Sequence, residues 1–142
     1  MMETMHNMDQ LAARHAQNMV SNTQDKEKKL VETLDRLVTK TLGVLQEQGV
    51  YAMMLFLFSR TSDEAKITPV IRKELLEMVK QLPVFSDAAP TDKDRDKDIL
   101  KFYINEVMDD LDTLFLVRDL YEQTLIYARF GAKAAGKEVE NT

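Results

Sequence analysis

The sequence predicts an all-α protein, a compact bundle of about six helices, and three observations carry that prediction. Leu, Met, Ala, Glu, Gln, Lys and Arg, the better helix formers, dominate the 142 residues. Four Gly and three Pro are too few to punctuate an all-β fold. Apolar residues recur at steps of three and four along most of the chain, the period of a helix with one buried face. The length fits a single helical domain, residues 1–142, that buries about two-thirds of the surface its unfolded chain exposes.

In chain order, the first helix is expected from about Asp9 to Val20, with Met8, Leu11, Ala12, Ala16 and Met19 on one side. The second, about Asp25 to Gln48, carries the clearest stripe: Leu30, Val31, Leu34, Leu37, Val38, Thr41, Leu42 and Leu45. Gly49 ends it, because a helix terminus favours a residue that accepts positive φ. A third helix, Val50 to about Arg60, has few polar residues on any side and is therefore central, with Leu55, Phe56 and Phe58 buried. Thr61, Ser62 and Asp63 supply turn chemistry, and Thr68 before Pro69 reads as an N-cap followed by proline at the first helical position. The fourth helix then runs to about Leu82 through Ile71, Leu75, Met78 and Val79.

Pro83 and the stretch from Ser86 to Asp92 form the longest loop. From Thr91 to Phe130 there is neither Gly nor Pro, yet Asp109, Asp110 and Asp112 compete with the helix backbone, so two helices are expected, meeting between Asp109 and Thr113. The last runs to about Ala135, with Gly136 as its stop.

Composition narrows function. Without Cys there are no disulfides, thiolate metal sites or cysteine nucleophiles, which fits a reducing cytoplasm. The N-terminus lacks the basic and apolar regions of a secretion signal, and the longest apolar run, Val50 to Phe58, is far short of the roughly 20 residues a membrane helix needs. A net charge of −5 argues against non-specific coating of nucleic acid but leaves room for one basic face.

Catalytic motifs are missing. The alternating acids from Asp92 to Asp98 resemble the start of a calcium loop, but Lys97 stands where Gly is needed and Tyr103 where Glu is needed. Glu3 and His6 are half of a di-iron ligand pair without a second half. His15 lies beside an apolar stripe and reads as a packed or interface histidine, and neither histidine has a recognisable catalytic partner. No metal, cofactor or small-molecule substrate is expected, and the chain reads as a non-enzyme. Met53, Met54, Met78 and Met108 read as core filling, although a methionine-rich groove for an amphipathic partner helix is the alternative function. A third reading, a small enzyme, would draw on Glu106, Asp109 and Asp112.

The informative charges are basic. Arg129, Lys133 and Lys137 share a helix face, with Arg118 close to them in angle; Lys29, Arg36 and Lys40 make a second stripe on the second helix. Cations near a helix C-terminus also offset the macrodipole, so the first stripe has a structural explanation beside a polyanion-binding one. No aromatic residue is interleaved as a stacking platform, so any contact would be to backbone phosphates.

Three segments together resemble one family. Met8 to Val20 looks like its opening helix; Val44 to Arg60, with the Gln48-Gly49 turn, is similar to its apolar helix pair; Arg118 to Ala135 resembles its closing helix. The family is the small helical subunit, the fifth Cmr subunit, of type III-B CRISPR effector complexes. Two departures are Ile126 and Tyr127 where a Trp is usual, and Gly131 where Ala is more usual. The resemblance implies a structural, non-catalytic subunit that stacks in several copies along the crRNA backbone and helps to cradle target RNA. Its implied partners are other Cmr-type subunits, copies of itself, crRNA and target RNA, with no membrane. The RNA contacts expected for such a subunit are those read from the two basic stripes: Lys29, Arg36, Lys40, Arg118, Arg129, Lys133 and Lys137.

Overall fold

The computed structural model describes residues 7–85 and 89–140, with side chains described as far as residue 137. Glu3, His6 and residues 86–88 of the expected loop lie outside the described residues. Within them the chain forms six α-helices and no strand: α1 Met8–Lys26, α2 Leu30–Gln48, α3 Val50–Phe58, α4 Ser62–Lys80, α5 Asp96–Phe102 and α6 Leu111–Glu140. A single 3₁₀ turn, Pro83–Phe85, follows α4, and a π-helical turn, Tyr103–Val107, extends α5. No described helix is long and apolar enough to cross a membrane.

The last helix organises the rest. α6 packs most extensively on α1 and α2, while α1 also lies on α4 and α2 on α3. The α2–α6 pair runs antiparallel: Arg118 near the start of α6 reaches Gln46 near the end of α2, and Lys133 near the end of α6 reaches Asp35. Val117, Leu120, Tyr121, Leu125, Ala128 and Ala132 give α6 a buried face that enters a core shared by all the helices. Small residues toward the C-terminal half let it come close to α1. A Cβ added at Gly131 would sit 3.2 Å from Val20 Cγ2, a contact that requires the Val20 side chain to give by a few tenths of an ångström.

Several boundaries differ from the sequence reading. α1 continues six residues past Val20 because the buried face continues: Thr23 is fully buried and satisfies its hydroxyl on the Met19 carbonyl at 2.8 Å. Asp25 accordingly belongs to α1, and α2 begins at Leu30. α3 stops at Phe58, short of Arg60, where the Ser59 amide closes the last turn on the Leu55 and Phe56 carbonyls.

Thr68 is not an N-cap. α4 begins at Ser62 and carries Pro69 in its interior. Proline has no amide to offer the Ala65 carbonyl; the Thr68 hydroxyl donates to that carbonyl instead, at 3.4 Å, and accepts from Arg72 Nη1 at 3.2 Å. The Arg72 guanidinium in turn stacks 4.5 Å from the Phe58 ring centre, tying α4 to α3 across the proline. Burial lowers the Arg72 pKa from its ordinary value, and Asp96 and Asp92 oppose that shift. Gly136 does not stop α6, which continues to Glu140, since one glycine costs a helix only about 1 kcal/mol.

The break between the fifth and sixth helices falls where the aspartates are. The Asp110 carboxylate accepts from the Thr113 amide and from the Thr113 hydroxyl, both at 3.0 Å, which is the N-cap arrangement that opens α6.

The interior is mainly apolar, with one aromatic contact of note. Tyr103 on the π turn and Tyr121 on α6 are fully buried with their hydroxyls 2.7 Å apart, and Tyr121 donates to the Leu75 carbonyl at 3.2 Å. That leaves Tyr103 as donor to Tyr121, a chain in which both protons are held inside the protein. Phe85 and Phe102 meet edge to face beside it.

The phase of α3 corrects one expectation. Val50, Met53, Met54 and Leu57 are its buried residues, whereas Leu55 is 43% exposed and Phe56 and Phe58 are only partly covered. A nine-residue helix has one buried side however apolar its remainder, and the other side of α3 carries aromatic rings at the surface, with Arg60 stacked 4.0 Å from the Phe56 ring centre. Met108, expected in the core, is 44% exposed for a related reason: it lies in the turn between the π segment and α6, off the buried face of both.

Two measurements check this core. Leu57→Ala should lower unfolding stability by about 2–5 kcal/mol in denaturant titrations, whereas Leu55→Ala should change it by no more than about 0.5 kcal/mol. Equal effects would mean that α3 is rotated from the orientation described.

The tyrosine pair sets the second. Burial raises the pKa of both phenols above the ordinary value of 10.0, so the folded state keeps protons that the unfolded chain gives up. Their contribution to stability is complete below about pH 10 and disappears as pH rises further. The alkaline fall in thermal midpoint should become shallower in the Tyr103→Phe, Tyr121→Phe double variant, relative to that variant's own value at pH 8.

Candidate nucleic-acid interface

The antiparallel packing of α2 on α6 brings part of the two basic stripes together. Arg36 from α2 and Lys133 and Lys137 from α6 line one groove of about 380 Å³, with Ala132 and Gly136 as its floor and Glu32 and Asp35 on the α2 side. All three cationic side chains are exposed. Lys133 Nζ lies 3.4 Å from Asp35 Oδ2, and Arg36 Nη2 reaches the Thr33 hydroxyl at 3.4 Å; Lys137 has no carboxylate within ion-pair distance among the described residues.

The other four basic residues go elsewhere. Lys29 is exposed at the N-terminus of α2. Lys40 turns toward α4, with Nζ 2.9 Å from Glu64 Oε2, so it leaves the α6 side of its helix. Arg118 is half-buried at the far end of the pair, and its Nη2 donates to the Gln46 carbonyl at 2.9 Å, satisfying one of the last carbonyls of α2. Arg129 is partly buried, and its Nε–H is enclosed with no hydrogen-bond partner, as is Asp35 Oδ1.

The chemistry open to this surface is electrostatic. Arg36, Lys133 and Lys137 outnumber Glu32 and Asp35 by three to two, a small positive excess on an acidic chain. Such a groove can hold one or two phosphates of a polymer backbone and has no aromatic face on which to read a base. The acids Asp92, Asp94, Asp96 and Asp98 sit apart, in the loop and first turn leading into α5; there the Asp94 carboxylate accepts from the Thr91 amide at 2.8 Å. Glu106 lines a groove together with Asp94 and Asp98, and Asp109 and Asp112 are exposed beside the start of α6.

Two features escape the sequence reading. The first is a largely apolar groove of about 310 Å³ where the Gly49 turn meets the start of α6, lined by Val50, Tyr51, Met108, Leu114 and Phe115 and flanked by Glu47 and Arg118. Leu111, 66% exposed, lies one turn of α6 before Phe115, which is itself 52% exposed. Its signal in the sequence is an apolar excess: Leu111, Leu114, Phe115, Leu116, Val117 and Leu120 cover more of the helix circumference than one buried face requires. The second is the partner of His15. His15 is buried and packed, as its stripe predicts, but its ring contacts Glu74 of α4 at 2.8 Å, a residue 59 positions away. Glu74 stands in the apolar stripe of α4 between Ile71 and Met78, and a carboxylate in such a stripe needs a buried partner.

Comparison with protein-family models, with curated proteins and with solved structures gives no match.

The basic residues separate cleanly by the structural work they do. Replacing Arg118 with Gln should cost about 0.5–1.5 kcal/mol in thermal or denaturant unfolding, because it removes the cap on α2. Replacing Lys133 with Gln removes only an exposed ion pair and should change stability by less than about 1 kcal/mol.

Proposed function

We propose that this protein is a non-catalytic structural subunit of an RNA-guided type III-B (Cmr) effector ribonucleoprotein, stacking along the crRNA backbone and helping to cradle target RNA. The observation that carries this reading is the groove between α2 and α6, in which Arg36, Lys133 and Lys137 converge from distant parts of the sequence. The three segments that resemble the fifth Cmr subunit family lie in α1, α2–α3 and α6, and α6 packs on both α1 and α2. The resemblance thus follows the packed centre of the molecule and not a peripheral loop.

The modest positive excess suits a subunit that adds a few phosphate contacts within a larger assembly. In this reading the exposed apolar residues Met108, Leu111 and Phe115 face a neighbouring protein subunit.

That same apolar groove favours the second reading, an adaptor that binds an amphipathic partner helix and makes no contact with RNA.

Exchange of Arg36, Lys133 and Lys137 for Gln separates the two readings. In the reconstituted ribonucleoprotein the triple variant should bind target RNA more weakly, and the slope of log affinity against log salt should flatten by about 0.7–0.9 for each phosphate that is no longer neutralised. The isolated triple variant should melt close to the parent. Unchanged affinity and salt slope, together with failure of Leu111→Asp or Phe115→Asp to enter the assembly, would favour the adaptor.

A further inference from the structure

A polar cluster lies between α1 and α4, remote from the basic groove. The side chains of His15 and Glu74 are only 5% and 3% exposed. His15 Nδ1 is 2.8 Å from Glu74 Oε1, and Asn18 Nδ2 donates to the same oxygen at 3.1 Å. Glu74 Oε2 accepts no hydrogen bond from the described residues. On the other side of the ring, Gln81 Nε2 lies 2.9 Å from His15 Nε2 and 3.4 Å from the Glu77 carbonyl. With the Gln81 amide in this orientation, a neutral imidazole carries its proton on Nδ1 and its lone pair on Nε2.

Glu77, on the same face of α4 as Glu74, has a carboxylate with no hydrogen-bond or ion-pair partner among the described residues. One ring nitrogen of His15 and one carboxylate oxygen from each of Glu74 and Glu77 lie within 4.8 Å of one another. Glu77 also lines a groove of about 320 Å³ together with Lys73, Leu76, Lys80 and Pro90, so the cluster has a route to solvent.

We infer that His15, Glu74 and Glu77 form a binding site for one divalent transition-metal ion of the zinc class, which clips α1 to α4. The donor set, one imidazole nitrogen and two carboxylates, is of the kind zinc takes, with a fourth position left for water from the groove. Tetrahedral ligand atoms about 2.0–2.2 Å from such an ion stand about 3.4 Å apart, so the three groups need to close by roughly an ångström. Glu77 supplies that movement by side-chain rotation, since no hydrogen bond holds its carboxylate. Charge favours the same result. A neutral imidazole and two carboxylates, one buried on Glu74 and one exposed on Glu77, sum to −2, so a divalent ion neutralises the ligand set and can take the second oxygen of Glu74.

The outer contacts are also of the right kind. When the ion takes Nδ1, the ring proton moves to Nε2, and a half-turn of the Gln81 amide presents Oε1 to accept it. A ligating histidine whose other ring N–H donates to an oxygen is the usual outer-shell arrangement. Asn18 plays the corresponding part for Glu74. Lys73 and Lys80 oppose a cation from the groove wall, but at longer range than two carboxylates in direct contact with it.

The test is a titration of the full chain, freed of metal by chelator, with Co²⁺ and then Zn²⁺. The expected result is saturation at one equivalent, a cobalt visible absorption band of tetrahedral type that zinc abolishes, and a zinc-dependent rise in the thermal midpoint. His15→Gln and Glu77→Gln should each abolish the band, and Asn18→Ala should weaken binding about 10- to 100-fold. Glu77 is the decisive position because its carboxylate supports no other contact, so Glu77→Gln should keep the parent's far-ultraviolet circular dichroism. The inference is overturned by an absence of saturable binding to the parent at submillimolar metal. It is equally overturned by binding that survives in Glu77→Gln, or by binding that is abolished instead on replacing His6, the one other histidine.

Discussion

Everything in this fold depends on the burial of one long helix. α6 is 30 residues, about 45 Å at helical rise, and it packs against both α1 and α2 while Tyr121 and Thr124 reach across to α4. Contacts made this far apart in sequence bring the two ends of the chain together: Tyr127 donates to Asp9, and Gly131 backs onto Val20. The helices on which α6 lies could not bury their apolar stripes without it. Its own start is set by a local feature, the Asp110 cap, so a single side chain decides where the longest element begins.

The apolar packing is crossed by a few polar contacts that fix alignment. Pro69 would leave a carbonyl idle within α4, and Thr68 takes that carbonyl while holding Arg72 against Phe58. Tyr103 and Tyr121 join the π turn to α6 and to the backbone of α4. His15, Asn18, Glu74 and Gln81 do the same between α1 and α4. Hydrophobic burial is indifferent to small slides of one helix along another, whereas a buried donor without its acceptor costs about 1–3 kcal/mol. These contacts therefore select one register among the many that apolar faces alone would permit.

The surface has two distinct regions. One is the groove of α2 and α6, where three cations exceed two acids; the other is the apolar area around Met108, Leu111 and Phe115, at the start of α6. Since Arg118 and Lys133 lie at opposite ends of the α2–α6 pair, the two regions are separated along the length of α6. The separation means that either area can be covered without blocking the other. The proposed metal clip lies on a third side, between α1 and α4.

By itself the sequence determined the helical class, the Gly49 turn, the break beside Asp110 and the buried faces of α1, α2 and most of α4. These depend on local periodicity and capping, which act over a few residues. It also marked His15 as packed and placed seven basic residues on two helical stripes. Tertiary structure decided the rest. Which side of α3 faces inward is illegible in the sequence because all nine of its residues are apolar, so periodicity carries no signal and only the neighbours can choose. Pro69 reads locally as a beginning because its cost inside a helix is large, and it becomes an interior residue once Thr68 and Arg72 supply partners. The stripes part for the same reason: Lys40 and Arg36 differ by one turn, yet Glu64 of α4 lies beside the first, and α6 beside the second. Glu74 could not be assigned to His15 from the sequence, because a pairing across 59 residues is set by how two helices pack and by nothing either helix contains alone.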